Sequence, residues 1–246
     1  MSLIDELEQQ GQWLFRWRSY LPLLLVALLP IAFSGYEWPF TDYFHYAVWS
    51  KLCFGISLLG LVIRCVTIGY TPAKTSGRNT ARQIAAELNT TGMYSQVRHP
   101  LYLGNFLIGL GACCAPFIWW LPLVYCLTFC AYYERIMFTE EAFLRRKFGK
   151  QFADWAAITP AFIPKFRGWR QPELPYSFRN VLRREYTGLM VVILLNAAVQ
   201  FTEHMVIDRR VVYETFWVSL LLGGTTAYFA LRSLKTRTTL LNVEGR

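Results

Sequence analysis

Apolar runs of membrane-span length alternate along this chain with short basic stretches, and the alternation predicts a helical membrane protein. Residues 20–35 (YLPLLLVALLPIAFSG) read as a first, short span. Residues 45–69 read as a second, about 37 Å long at ~1.5 Å per residue, enough to cross a hydrocarbon core of ~30 Å. A third span opens at Pro100, where the missing amide hydrogen costs a helix nothing, and runs to about Cys114. Pro116 marks a tight reversal into a fourth span over about 117–138. Spans at 186–202 and 211–231 close the chain. The expected fold class is all-α, a polytopic membrane bundle of about six transmembrane helices.

The polar stretches organise the rest. Residues 3–18 place Leu3, Leu7, Leu14 and Trp17 on one helical face, with Asp5, Glu6 and Glu8 near the start, as in an interfacial helix lying on a membrane. An acidic start without a small-residue cleavage site argues against a signal peptide. Residues 70–98 are a polar loop. Residues 139–183 begin as an amphipathic helix continuing span four and end as a surface-hugging connector marked by Pro160, Pro164, Pro172 and Pro175. Four regions follow: an interfacial helix (1–19), the first two spans (20–70), a core (71–165), and a connector with a C-terminal transmembrane hairpin (166–246).

Composition agrees with a bilayer as solvent. Mean hydropathy is +0.27 with only 17% charged residues, against ~25% in soluble domains. The net charge of +9 resides in the loops: all but Lys51, Arg64, Arg209 and Arg210 of the 25 Lys and Arg residues fall on one side of a six-span topology. That side is cytoplasmic by the positive-inside rule, which places both termini there and makes the protein multi-pass. A basic balance distributed this way fits anionic headgroups and not nucleic acid, for which no motif is present. The six cysteines lie inside apolar runs without a CxxC pair, and the three histidines are scattered, so neither disulfides nor a metal centre is expected. Oligomeric state is not legible.

Candidate chemistry gathers at one corner. Spans three and four are joined by a short reversal and must be antiparallel neighbours. Arg98-His99-Pro100 then lies beside Arg135–Glu141, at the cytoplasmic end of both. Taken singly, each residue has a bland role. Arg98 would be a snorkelling topology anchor, and Tyr94 and Tyr102 aromatic-belt residues. Glu141 would pair with Arg145 at the i, i+4 spacing. Together they read as a cofactor pocket.

The pattern Gly92-x-Tyr94-x-x-x-Arg98-His99-Pro100-x-Tyr102-x-Gly104 leads this reading. It is followed by Glu140-Glu141-x-x-Leu144-x-x-x-Phe148-Gly149-x-x-Phe152-x-x-Trp155, then by Pro160 and Ile163-Pro164. The set resembles the isoprenylcysteine carboxyl methyltransferases and related phospholipid methyltransferases over roughly residues 75–165. The resemblance implies a membrane enzyme holding S-adenosylmethionine in a cytosol-facing pocket. His99, Pro100, Leu101 and Tyr102 would line the cofactor, with Tyr94 nearby and Glu140 at its polar end. The family's use of the stretch upstream of the first motif implicates Glu87, Leu88, Asn89 and Asn79. Where the family places a substrate-facing arginine, four residues before the first glutamate, this chain has Ile136, with Arg135 one step away.

Methyl transfer from a sulfonium is an in-line displacement served by alignment and exclusion of water. A carboxylate or phosphate acceptor needs a positioning cation, which Arg98 or Arg135 could supply. An amine acceptor needs a base, for which Glu141 is the candidate. The expected activity is methylation of an anionic oxygen on a membrane lipid or lipidated substrate, such as a prenylcysteine carboxylate or a lipid A phosphate. The alternatives are a lipid amine N-methyltransferase or an NADPH-dependent sterol-type reductase, whose similar motif places an acidic residue where Asn105 stands. A third reading is a membrane scaffold.

Overall fold

The computed structural model describes residues 3–17, 29–34, 43–72, 75, 85–207, 209 and 212–246. Among these residues there are seven helices of more than two turns and no strand: α1 (Leu3–Trp17), α2 (Tyr43–Tyr70), α3 (Pro100–Cys114), α4 (Trp120–Phe148), α5 (Lys150–Ile158), α6 (Phe178–Ile207) and α7 (Thr215–Arg237). The all-helical membrane bundle expected from the sequence is what forms. Helices α2 and α6 are long and apolar enough to cross a bilayer, and α3 is a shorter apolar helix. Most of the expected first span lies outside the described residues; its end is a helical turn, Leu29–Ala32.

Helix α3 opens with Pro100 in its first turn, as the missing N–H allows, and packs most extensively on α2. The contact is close because two glycines face each other. A methyl group on Gly104 would lie 2.7 Å from the Gly60 carbonyl oxygen and 2.5 Å from Arg64 Cγ. Small residues at such a seam let helix backbones approach where water provides no drive for association.

Arg64 crosses the seam and uses its whole guanidinium. Nε and Nη2 donate to the two carboxylate oxygens of Glu185 at 2.8 and 2.9 Å. Nη1 donates to Asn105 Oδ1 at 2.7 Å. Glu185 is almost fully buried, so this fork joins α2, α3 and α6 and gives the carboxylate both the charge and the hydrogen bonds that burial demands.

Helix α6 begins at Phe178, eight residues before the expected span. Arg179, Arg183 and Arg184 therefore ride on its first turns instead of the connector. The start is fixed to the end of α2, where Ser177 N donates to Gly69 O at 2.9 Å and Asn180 Nδ2 to Ile68 O at 2.8 Å. Helix α7, by contrast, starts later than expected and ends later.

Helix α4 continues unbroken through Glu140-Glu141 and stops at Gly149, whose φ of +50° suits glycine and leads into α5. Helix α1 is amphipathic as expected, and the structure adds that it is seated on α4. Gly11 and Phe15 are buried there, Tyr132 donates to the Leu14 carbonyl at 3.1 Å, and Arg146 pairs with Glu8 at 2.6 Å. Trp13 and Trp17 face outward.

Substituting Gly104→Val should push α3 off α2 and cost about 1–3 kcal/mol by overpacking. Gly55→Val, on the same α2 but with nothing within 4 Å, should be tolerated. Thermal stability of the detergent-purified variants checks the pair.

Candidate active site

The corner between the start of α3 and the C-terminal half of α4 is a network of opposite charges. His99 Nε2 lies 2.9 Å from Glu141 Oε1, and His99 Nδ1 lies 3.6 Å from Glu140 Oε2. Arg98 Nε is also 2.9 Å from Glu141 Oε1. Its N–H is not directed at that oxygen and is left, buried, without an aligned acceptor. Tyr102 donates to Glu140 Oε1 at 2.6 Å, one helical turn from His99, and the two rings stack at 5.7 Å.

The backbone presents these side chains. Arg98 N and His99 N donate to the carbonyls of Pro160 and Ala161 at 2.9 and 3.2 Å, and Lys165 N donates to Gln96 O at 3.2 Å. The segment after α5 thus runs back along residues 96–99. Arg98 Nη1 donates to the Ala156 carbonyl at 3.0 Å, one of the oxygens left without an amide in the last turn of α5. With its side chain 17% exposed and its head tied to α4 and α5, Arg98 is not a snorkelling anchor.

Electrostatics follow from the geometry. Burial alone pulls the His99 pKa down, but hydrogen bonds and charge from Glu140 and Glu141 together outweigh it and raise it above the ordinary histidine value. Burial pushes Glu141 up, yet the His99 hydrogen bond and the charges of His99 and Arg98 prevail and hold it below the ordinary carboxylate value. Each partner thus favours the charged form of the other.

Behind the ions stands an aromatic wall. Tyr102 packs on Tyr133 with ring centroids 4.8 Å apart, and Tyr133 stacks on Phe129 at 4.1 Å. Phe162 closes the group against Phe106 at 5.5 Å. Asn105 Nδ2 reaches the Tyr133 hydroxyl at 3.4 Å, which links the wall to the Arg64–Glu185 fork.

The structure brings Arg98, His99, Tyr102, Glu140 and Glu141 together, with Pro100 and Leu101 in the same helical turn. It does not bring Arg135. That side chain turns to α1, where Nε donates to Gln10 Oε1 at 3.0 Å. One residue is about 100° of helix, and Ile136 holds the inward position, fully buried against Tyr102 and Tyr133. Glu141 pairs with Arg98 and His99, while Arg145 sits over the Phe152 ring at 5.8 Å. Tyr94 lies in a 3₁₀ turn (Gly92–Ser95) and accepts from Trp155 Nε1 through its carbonyl at 3.0 Å. Glu87, Leu88 and Asn89 are irregular chain following Ala85, whose carbonyl takes a hydrogen bond from Lys147 near the end of α4. Asn79 lies outside the described residues. Sequence reasoning missed Tyr133, although it precedes Glu140 by two helical turns and so shares its face. Among the described residues no three His, Cys, Asp or Glu side chains are placed to hold a metal ion.

Comparison with known proteins gives the chain a family. A family model described as phospholipid methyltransferase matches residues 50–151. The nickel-cobalt-cadmium resistance protein NccN of Alcaligenes xylosoxydans xylosoxydans is 32% identical over 197 residues, 76% of this chain and 83% of that protein. The cobalt-zinc-cadmium resistance protein CzcN of Cupriavidus metallidurans is 32% identical over 157 residues, covering 63% and 64%. The protein-S-isoprenylcysteine O-methyltransferase of Schizosaccharomyces pombe is 26% identical over 164 residues, covering 60% and 67%. No solved structure matches. These matches and the apolar helices make the chain a membrane-associated helical protein of a methyltransferase family. The chain belongs to the isoprenylcysteine carboxyl and phospholipid methyltransferase family.

The ion network makes stability depend on pH. The raised His99 pKa gives a contribution present in full below the unfolded value of about 6.5 and lost as pH rises through the folded value. The lowered Glu141 pKa gives one present above the unfolded value of about 4.3 and lost as pH falls through the folded value. The thermal-stability gap between the unsubstituted protein and His99→Gln should therefore be widest between about pH 4.5 and 6.5 and narrow on both sides. Melting curves in detergent across pH check it.

Proposed function

We infer that this protein transfers a methyl group from S-adenosylmethionine to an anionic oxygen of a lipid or lipidated substrate at the cytoplasmic face of its membrane. Both termini and the cofactor pocket face the cytoplasm in this reading, which the distribution of loop charges supports. The observation that carries it is the convergence of Arg98, His99, Tyr102, Glu140 and Glu141 on one corner at the membrane boundary, within a methyltransferase family.

The donor set fits the cofactor. Glu140 suits an ammonium, Arg98 and His99 suit a carboxylate, and the buried Arg98 Nε–H still has an acceptor to gain. Bound there, S-adenosylmethionine would supply an activated methyl group on a sulfonium. Tyr102 and His99, stacked together, would hold the polar end in register, with Pro100 and Leu101 lining it and Glu87, Leu88 and Asn89 contributing from the stretch before the first motif. The wall of Tyr133, Phe129 and Phe162 would exclude water from the reacting atoms.

Two features favour an oxygen acceptor over an amine. Glu141, held below the ordinary carboxylate value by His99 and Arg98, is a poor base for removing an ammonium proton. Arg98 is a cation that an acceptor carboxylate or phosphate could share. Arg135, turned to α1, has no part in the cofactor pocket. Nicotinamide reduction is the weaker reading, because the position after Gly104 is Asn105 and its amide is already committed to Arg64 and Tyr133.

Purified protein in detergent should bind S-adenosylhomocysteine and not NADPH. His99→Ala and Glu140→Ala should each weaken that binding about ten- to hundredfold, the worth of a hydrogen bond to a charged group, while Arg135→Ala leaves it unchanged. NADPH binding alone, or affinity that survives both corner substitutions, would overturn the assignment.

A further inference from the structure

Among the described residues, the segment that pins the corner has an outer side left exposed. Between the Pro160 and Ala161 carbonyls, which hold Arg98 and His99, and the Arg170 carbonyl, which accepts from Gly92 N at 2.9 Å, the chain is fastened at both ends. Phe162 points inward to the aromatic wall. Ile163, Phe166 and Trp169 point out, at 76%, 85% and 44% exposure.

Phe166 is also held at φ +51°. A bulky residue in the left-handed region costs energy and persists only where its surroundings enforce it, often at functional positions. The Phe166 ring projects away from the protein. Flanking it are Lys165, Arg167 and Arg170, and residues 155–172 contain no Asp or Glu. Lys165 is committed to the Ile158 carbonyl at 2.9 Å, whereas Arg167 and Arg170 are exposed.

We propose that residues 163–170 dock on the cytoplasmic leaflet, with Ile163, Phe166 and Trp169 entering the interface and Arg167 and Arg170 binding the phosphates of acidic lipids. Three observations support this partner. The segment is hydrogen-bonded to residues 96–99, immediately before the α3 span, so it lies at the depth of the membrane boundary. Its mixture of aromatic, aliphatic and arginine side chains suits the interfacial zone. Its charge is uniformly complementary to anionic headgroups. The docked segment would deliver an acidic lipid beside Arg98, at the mouth of the pocket.

The test reads lipid contact without turnover, so it stands apart from the methyl-transfer reading. Full-length protein with Phe166→p-benzoylphenylalanine is placed in nanodiscs of equimolar phosphatidylcholine and phosphatidylglycerol, irradiated, and analysed by intact mass. A second variant, Leu52→p-benzoylphenylalanine, carries the probe on the exposed face of α2 and serves as the lipid-reaching control. Lipid adducts at position 166 should favour phosphatidylglycerol by about fivefold for each arginine engaged. In an Arg167→Gln/Arg170→Gln background the preference should fall to about one. Absence of lipid adducts at 166 while the Leu52 variant forms them would overturn the proposal, as would adducts at 166 that show no headgroup preference.

Discussion

Glu141 holds the charged corner together, because one carboxylate oxygen lies 2.9 Å from both His99 Nε2 and Arg98 Nε. Every other element there is arranged by that contact. Arg98, drawn to it, also satisfies a carbonyl at the end of α5. His99, drawn to it, brings its other ring nitrogen toward Glu140, which Tyr102 then steadies. Two carboxylates and two cations in a half-buried site would each be costly alone, since the desolvation of an unpaired charge exceeds most single contacts. Paired, they largely cancel that cost. What they gain is less stability than a single defined geometry at the membrane boundary.

That geometry needs a rigid frame, which comes from the opposite side of α3. The Gly60–Gly104 approach sets the spacing of α2 and α3, and the Arg64 fork locks α6 to both. Asn105 then connects the fork to Tyr133 and the aromatic wall. The C-terminal hairpin lies outside the region matched by the family model, yet through Glu185 it is mechanically part of the site. A polar seam of this kind is expensive in a bilayer unless fully bonded, and the three hydrogen bonds of Arg64 supply that bonding.

Much of this was legible beforehand, for identifiable reasons. Hydropathy marked the described spans, and the short reversal after Cys114 forced α3 and α4 together, which placed His99 beside Glu140-Glu141 without any coordinates. Register was harder. Arg135 and Ile136 differ by one position, and the family resemblance called for an arginine there, but the helix turns Ile136 inward and Arg135 to α1. The onset of α6 was missed because Arg179, Arg183 and Arg184 look like loop residues. Only the long-range hydrogen bonds to the end of α2 show that the helix is already formed there. The Pro160–Lys165 backbone contacts could not be seen in sequence at all, since carbonyl partners carry no side-chain signal.

The claim that this corner is a cofactor pocket is tested most directly by an experimental structure of the protein with S-adenosylhomocysteine. The account predicts ligand density bounded by His99, Tyr102 and Glu140, with Arg98 turned to donate to the ligand's carboxylate. Density elsewhere in the bundle, or an unoccupied corner with Arg98 and Glu141 still paired at saturating ligand, would contradict it.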